Sequence, residues 1–222
     1  MKRLLTFAFV LAALAVVSIL GLAQKRGESK AVAIETNLQV QPQTPSLPCC
    51  ECLGKTTTLN LSTGQATPKD PIWSVNNGFA FTTPKVSSWT ALPPAQWIQP
   101  VATPTPSSNI APGVYKYIVR FNVPKCTIPS DVHLDGKFSA DNSAKAFLDG
   151  HPAGTCTGPT CFLGSAALAV NSAWLTPGTT HTLEIDVTNN EGYSGLIVKA
   201  ALTRQCARGN GRAEEETTDV KN

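Results

Sequence analysis

The chain lacks any run or stripe of basic residues, and its formal net charge is only +3 over 222 residues. Proteins that bind nucleic acid by neutralising phosphates concentrate Lys and Arg in a patch or stripe. Since no such stripe occurs, we predict that this protein does not bind nucleic acid. Catalytic signatures are also missing, because the sequence contains neither Gly-x-Ser-x-Gly nor His-Glu-x-x-His. No set of residues fills the roles of acid, base and nucleophile together, which predicts a protein without catalytic activity.

Long apolar runs are absent except at the beginning of the chain. Lys2 and Arg3 precede an almost wholly apolar stretch, residues 4–20, and small residues follow at 21–23. This pattern is typical of a secretory signal peptide and predicts removal of residues 1–23. The alternative is an uncleaved membrane anchor, because the apolar run approaches the roughly 20 residues that span a bilayer. We therefore expect a secreted, periplasmic or extracellular protein of a bacterial type.

Polar segments flank a single predicted domain, residues 49–206. Residues 24–48 have no sustained hydrophobic period and predict a flexible linker, and the charged residues 207–222 predict a disordered tail. The sequence has few aromatic residues, 7% of the chain, and few charged ones, 15%. It is rich in turn formers, with 17 Pro and 16 Gly. This composition is typical of an all-β domain with many turns.

Seven cysteines lie in the predicted domain, and in an exported chain they indicate disulfides. Cys156 and Cys161 bracket the turn-like stretch TGPT, which predicts a local bridge between them. We expect the cluster at the domain's start to pair with cysteines after later strands; the residues concerned are Cys50, Cys52, Cys126 and Cys206. The odd seventh thiol is then buried or links two chains in a covalent dimer. A zinc site is disfavoured because no second Cys-x2-Cys pair occurs.

Alternation of apolar and polar residues dominates the chain and predicts β-strands. It is clearest at residues 114–123, 132–140, 144–148, 182–189 and 195–202, with earlier candidates at 56–62, around Trp73 and Val75, and at 79–83. Each strand has one wet and one dry face, so two dry faces must meet. The prediction is an antiparallel β-sandwich or jelly roll stabilised by disulfides. The Pro-rich run at 92–113 is expected to form a long surface connection, a type of loop that is often functional.

The second half of the domain resembles the galactose-binding-like jelly-roll domains of exported bacterial proteins. The resemblance rests on Asp141-Asn142-Ser143-Ala144 leading to Leu148-Asp149-Gly150, then on the stretch 178–189 and on Gly195-Leu196, and it covers about residues 113–203. It implies a jelly-roll fold and a role as sugar binder, enzyme accessory or structural module. The chain departs from the pattern at Asp149, where Asn is common.

Two polar turns are expected to meet at one end of the sandwich. If strand 183–187 runs antiparallel to strand 144–148, the loops that contain Asp141, Asn142, Asn189, Asn190 and Tyr193 become neighbours. Their oxygen and amide groups suit sugar hydroxyls, and oxygens of this kind also suit Ca²⁺. The predicted calcium ligands are Asp141, Asn189 and Glu191. The competing interpretation is that Asp and Asn only form the turns, because their side chains bond to nearby backbone.

Trp97, in the long Pro-rich run, is the Trp that we expect to offer a platform for a sugar ring, whereas Trp73 and Trp174 are expected in the core. A hydrolase is a weaker possibility. Glu184 and Asp186 share one strand face about 7 Å apart by strand rise, but this is the outer, solvated face. We therefore predict a non-catalytic binding module for carbohydrate or cell-surface glycan. The alternative is a structural or interaction protein of the cell surface or matrix without a small ligand.

Overall fold

The computed structural model describes residues 42, 44, 45, 56–125, 127–158 and 160–205. The predicted signal peptide, the tail and most of the linker lie outside these residues, as do Cys50, Cys52, Cys126 and Cys206, so the boundaries and pairings predicted for them stay predictions. Over the described ranges, no helix combines the length and the apolar character needed to cross a bilayer.

The regular structure of the described residues is almost entirely β-strand, which confirms the predicted all-β class. The strands are β1 (Thr56–Asn60), β2 (Lys69–Val75), β3 (Gly78–Thr83), β4 (Trp97–Gln99), β5 (Gly113–Asn122), β6 (Val132–Asp141), β7 (Ser143–Leu148), β8 (His151–Cys156), β9 (Ala166–Ala167), β10 (Thr180–Asn189) and β11 (Gly195–Gln205). Three single 3-10 turns complete the regular structure, at Pro129–Asp131, Cys161–Leu163 and Ser172–Trp174.

Hydrogen bonds join all the strands into one antiparallel sheet. The order is β8-β7-β10-β5-β2-β3-β4-β11-β6-β9, and β1 pairs with β11 beside this path. The two halves of the sheet, one centred on β5 and β10 and the other on β11 and β6, share one apolar core. Two apolar faces therefore meet, as the sequence predicted for a sandwich. Hydrogen bonding also continues from one half to the other through β3 and the short β4, which lies within the Pro-rich run.

The core forms where the alternation of the sequence predicts it. On β5, Tyr117, Val119 and Phe121 are fully buried, and on β11 Leu196 and Val198 are fully buried as well. These core residues are two positions apart along each strand, because successive side chains of a strand point to opposite faces. The central pairing of β10 with both β5 and β7 is continuous over the length of the shorter strand, which fixes the register of this half.

Two-residue turns close two of the hairpins. Asn76 and Asn77 join β2 to β3, and Asp149 and Gly150 join β7 to β8; all four have positive φ, as such turns require. Asp149 also ties its turn to β10, because one carboxylate oxygen accepts from the backbone N–H of Thr182 at 2.7 Å and the other lies 2.6 Å from Nδ1 of His181. The side chain that departs from the resemblance thus has a structural role.

One disulfide is present among the described residues and joins Cys156 to Cys161, as the sequence predicted. It closes the loop that follows β8, and Cys161 itself is buried. The backbone N–H of Cys161 donates to the carbonyl of Asn142 at 3.1 Å. The disulfide loop is therefore packed directly beneath the polar turn between β6 and β7.

Candidate functional site

The polar corner, defined by residues 141–142 and 189–193, is brought together as the sequence predicted. β7 runs antiparallel to β10, and Ser143 lies opposite Thr188, so the turn before β7 and the loop after β10 share one end of the sandwich. The N–H of Asn142 donates to Thr188, and the N–H of Asn190 donates to Oδ1 of Asn142 at 2.8 Å. The peptide bond that joins Asp141 to Asn142 is cis.

The side chain of Asp141 points into the protein and is only 5% exposed. Its Oδ2 accepts from the indole N–H of Trp89 at 2.9 Å, and its Oδ1 accepts from the amide of Asn142 at 2.7 Å. Burial raises the pKa of Asp141, and the hydrogen bond from Trp89 opposes this shift without cancelling it. The carboxylate of Asp141 therefore links the polar corner to the loop that contains Trp89.

Asn189 likewise points inward and is 2% exposed. Its amide nitrogen donates to the carbonyls of Ile110 and Ala111 at 2.9 and 3.1 Å, which anchors the end of the Pro-rich run. Its amide oxygen is buried and has no partner within the described part of the chain. Asn142 and Asn189 thus stabilise the turns, which is the role that the competing interpretation gave them.

The exposed part of the polar corner consists of Asn190, Glu191 and Tyr193. The phenol ring of Tyr193 stands edge-on to Trp89, with 6.3 Å between ring centroids. The predicted calcium ligands do not fit a calcium site, because both oxygens of Asp141 already accept hydrogen bonds and its side chain is turned away from solvent. Consistent with this, no cluster of three acidic, His or Cys side chains suited to a metal occurs in the described ranges.

Trp97 does not offer the exposed platform that the sequence suggested, because it is 2% exposed. Its indole N–H donates to the carbonyl of Thr90 at 2.9 Å, and its ring packs 4.1 Å from that of Trp89. With Leu92, the two rings cover Ile197 on the outer face of β11. The pattern of the sequence could not distinguish this second, small core from an exposed loop, because the residues that build it show no strand or helix period.

The other two tryptophans lie as expected against the main core. Trp73 is fully buried, and its N–H donates to the carbonyl of Leu61. Trp174 is half-buried, and its ring stacks on that of His151 with 4.7 Å between centroids and 11° between planes.

The two carboxylates considered for hydrolysis form an ion-pair network instead. Nζ of Lys116 lies 2.7 Å from Glu184 and 3.4 Å from Asp186, so one ammonium bridges both side chains on the outer face of β10. Burial raises the pKa of Asp186, and Lys116 opposes that shift. The three histidines lie apart, as the sequence indicated. His181 is buried and paired with Asp149, whereas His133 and His151 are exposed on different strands.

A site that the sequence did not predict is the Phe81 groove, an open cavity of about 650 Å³. We define it by Phe81, Thr82, Thr67, Gln96, Thr103 and Pro104, which all line it. One wall is the Pro-rich run, which was expected to form a functional loop, and the floor includes the half-buried ring of Phe81 on β3. The volume lies in the range of about 300–1,000 Å³ that is usual for ligand sites.

Hydrogen bonds and close packing hold the rim of the Phe81 groove. The N–H of Gln96 donates to Thr63, and the hydroxyl of Thr63 donates back to the carbonyl of Gln96 at 2.6 Å. Gly64 packs so closely that a Cβ there would lie 2.4 Å from Cβ of Gln96, and its φ of +72° also requires glycine. The buried Asp70 accepts from the N–H of Gly64 and fixes the loop from below.

The side chains of Gln96 and Thr67 are exposed and make no hydrogen bond to any residue within the described ranges. The groove thus combines an aromatic ring with free amide and hydroxyl groups. Burial raises the pKa of Asp70, although hydrogen bonds from four backbone N–H groups oppose the shift. A signal for the groove exists in the sequence, since Phe79 and Phe81 share the outer face of a strand, but alternation alone could not say which face was outer.

No protein-family model matches the chain, and no curated protein matches it. Among solved structures, it is similar to a Faecalibacterium prausnitzii β-glucuronidase with a TM-score of 0.40 and 16% identity, over 72% of this chain and 33% of the enzyme. It is also similar to a β-D-glucuronidase of Dictyoglomus thermophilum, with a TM-score of 0.37, 13% identity and coverage of 72% and 29%.

A glycosyl hydrolase family 2 member from Bacteroides cellulosilyticus gives a TM-score of 0.36 and 9% identity, over 61% of this chain and 20% of that protein. The chain therefore spans at most a third of the length of these enzymes. Because every TM-score lies below 0.5, these similarities carry no argument about function, which must come from the site. Membership in the galactose-binding-like family also stays a prediction.

Proposed function

We propose that the protein is a non-catalytic carbohydrate-binding module and that its sugar lies in the Phe81 groove. The observation that carries the proposal is the combination in that groove of a partly exposed aromatic ring with free polar side chains. A sugar ring has an apolar face of C–H groups and a rim of hydroxyls. Phe81 offers a flat apolar surface to the first, while Gln96 and Thr67 offer hydrogen-bond partners to the second.

The rigidity of the rim supports the proposal, because a groove that is already formed loses little conformational freedom on binding. Gly64, Thr63 and Asp70 hold the rim through hydrogen bonds and close packing before any ligand arrives. The polar corner would then act at a distance, by fixing the loops of the sandwich rather than by touching the sugar.

The experiment compares Phe81→Leu with Phe79→Leu in the full-length protein. Both changes remove a flat ring from the same face of β3, but the ring of Phe79 lies outside the groove, with Nζ of Lys69 4.0 Å above it. A glycan array first identifies a bound sugar, and calorimetry then measures its affinity for each variant. We expect Phe81→Leu to weaken binding about fivefold, in line with the roughly 1 kcal/mol that an aromatic contact contributes, and Phe79→Leu to leave it unchanged.

A second candidate function is a structural or interaction protein of the cell surface. The burial of Trp73, Trp89 and Trp97 favours it, because exposed tryptophans were the feature expected of a sugar binder. An array without any bound sugar would contradict the carbohydrate proposal and leave this second function. Equal losses of affinity in the two Phe variants would show that the sugar binds elsewhere.

A further inference from the structure

A second open groove of about 480 Å³ lies on the outer face of β1, β11 and β6. We call it the lysine groove and define it by Thr58, Asn60, Asp135, Lys137, Lys199 and Pro94, which line it. The strand register explains its shape. The small side chain of Ala201 lies between Asn60 on β1 and Asp135 on β6. The surface of this three-stranded face is therefore depressed along β11, and polar side chains line both sides of the depression.

Lys137 and Lys199 lie directly opposite each other on neighbouring strands. Like charges in this position repel and destabilise a sheet. Both side chains are exposed, and within the described part of the chain neither ammonium is paired with a carboxylate. The fold therefore brings two positive charges to one side of a groove without neutralising them.

A lysine on the opposite outer face of the sheet provides a comparison, because its charge is neutralised by ion pairs. There Lys116 has two acidic neighbours across the strands, Glu184 and Asp186, and contacts both. The lysine groove has one acidic side chain, Asp135, which lies opposite Ala201 and makes no ion pair with either lysine. An anion of the ligand can take the place that Glu184 and Asp186 occupy on the other face.

The remaining groups narrow the chemistry of that anion. Asp135 accepts hydrogen bonds but repels a bare phosphate or sulfate ion, whereas it suits the hydroxyls of a sugar. The amide nitrogen of Asn60 and the hydroxyl of Thr58 offer further partners for such hydroxyls. A ligand that carries an acidic group and hydroxyls together satisfies all of these side chains at once.

We infer that the lysine groove binds an acidic polysaccharide, with a carboxylate or sulfate group held between Lys137 and Lys199 and sugar hydroxyls on Asp135. The inference rests on residues that the Phe81 groove does not use, and it stands whether or not that groove binds a sugar. Acidic polysaccharides bind through their charge, so the affinity must fall as salt is added.

The test measures binding of the full-length protein to polygalacturonate, to its methyl ester, to dextran sulfate and to dextran by biolayer interferometry. We expect binding to polygalacturonate or to dextran sulfate and not to its neutral counterpart, and the tighter of the two identifies carboxylate or sulfate as the acidic group. Lys137→Gln with Lys199→Gln should weaken that binding about tenfold, the sum expected for two exposed ion pairs.

The matched control is Arg120→Gln with Lys125→Gln, which removes the same charge from exposed positions outside the groove. It should leave the affinity within about twofold of the unchanged protein, well short of the loss of about tenfold expected for the two lysines of the groove. If both double variants lose affinity equally, or if the neutral polymers bind as well as the acidic ones, the inference is wrong. Absence of binding to either acidic polymer would overturn it as well.

Asp135→Asn provides a second and independent measurement. The change makes the groove more positive, so an attraction of charge alone would strengthen binding. We expect weaker binding instead, because the stronger hydrogen-bond acceptor for the sugar hydroxyls is lost. Tighter binding of this variant would contradict the assignment of Asp135 to sugar hydroxyls. The unfolding temperature of every variant is measured in parallel. If the double lysine variant unfolds at a lower temperature than the unchanged protein, Lys199→Gln alone replaces it.

Discussion

Ile197 and Lys199 are adjacent residues on the outer face of β11, but one is buried and the other is exposed. Ile197 is 1% exposed, beneath Trp89, Leu92 and Trp97. Lys199 is exposed and lines the lysine groove. The loop that carries Trp89 therefore covers one half of this face and leaves the other half open.

This contrast shows how a β-sandwich can use one strand for both stability and recognition. In the covered half the outward residues are apolar, and the buried carboxylate of Asp141 fixes the cover through the N–H of Trp89. In the open half Ala201 is small, and Lys199 makes no ion pair within the part of the chain that the structure describes. The end of the cover therefore marks the beginning of the surface to which we assign a ligand.

The largest expected effect comes from Trp89→Ala, which removes the cover. A buried Trp replaced by Ala costs about 3–5 kcal/mol of unfolding free energy, and here Asp141 also loses its indole partner. Urea unfolding of this variant should show a much lower midpoint, whereas Trp174→Ala, at a half-buried position, should show a smaller change. A loss below about 1 kcal/mol would mean that the cover contributes little, since that is the size of an average substitution.

The next prediction introduces a threonine in each half of β11. Ile197→Thr buries a hydroxyl without a partner and should lower the unfolding free energy by about 1–3 kcal/mol. Ala201→Thr introduces the same side chain in the open half and should change it by no more than about 0.5 kcal/mol. Chemical denaturation of both variants in one buffer is the measurement. Equal costs would remove the distinction between the halves.

The carboxylate that holds the cover gives the third prediction, which concerns pH. Because burial raises the pKa of Asp141, the folded state holds this proton more tightly than the unfolded state. Its contribution to stability therefore increases as the pH falls from above the raised folded value towards 3.8, and is constant below that. Asp141→Asn cannot titrate, so its unfolding free energy should rise less over this interval. An identical pH profile would assign the effect to other groups, such as Asp70.

The smallest effect is expected for Lys199→Gln in the open half. Removing one of two opposed ammonium groups relieves repulsion, so the unfolding free energy should rise, by at most about 0.5 kcal/mol. Lys116→Gln, on the opposite outer face, breaks contacts to two carboxylates and should shift stability in the other direction. Thermal unfolding at low salt compares the two variants. A loss of stability with Lys199→Gln would mean that its ammonium has a partner in the fold.

Most of the fold could be predicted from alternation. The strands around Tyr117, Phe138 and Ile185 lie where the sequence placed them, because one buried face and one solvated face leave a clear period of two. The short strands β4, β8 and β9 could not be predicted. A three-residue strand such as β4 has too few residues for a period, and its neighbours are prolines that look like a loop. The local disulfide at Cys156 was predictable because it brackets a turn.

The candidate site could be predicted less well. The sequence correctly placed Asn142 beside Asn190, since antiparallel pairing forces the two loops together. It could not show that Asp141 and Asn189 face inward, because the direction of a side chain at a strand end depends on loops distant in sequence. The grooves were missed for a related reason. Phe81 and Lys199 become parts of cavities only when the loop at 94–104 passes beside them.

The segment 94–96 has a consequence for the length of the ligand. Pro94 borders the lysine groove and Gln96 borders the Phe81 groove, so the two cavities are separated by the width of this short segment. If both take sugars, a polymer that crosses the segment occupies both at once, and the second contact forms at a high effective concentration. Avidity of this kind makes affinity depend on chain length, so short oligosaccharides would bind far more weakly than the polymer from which they come.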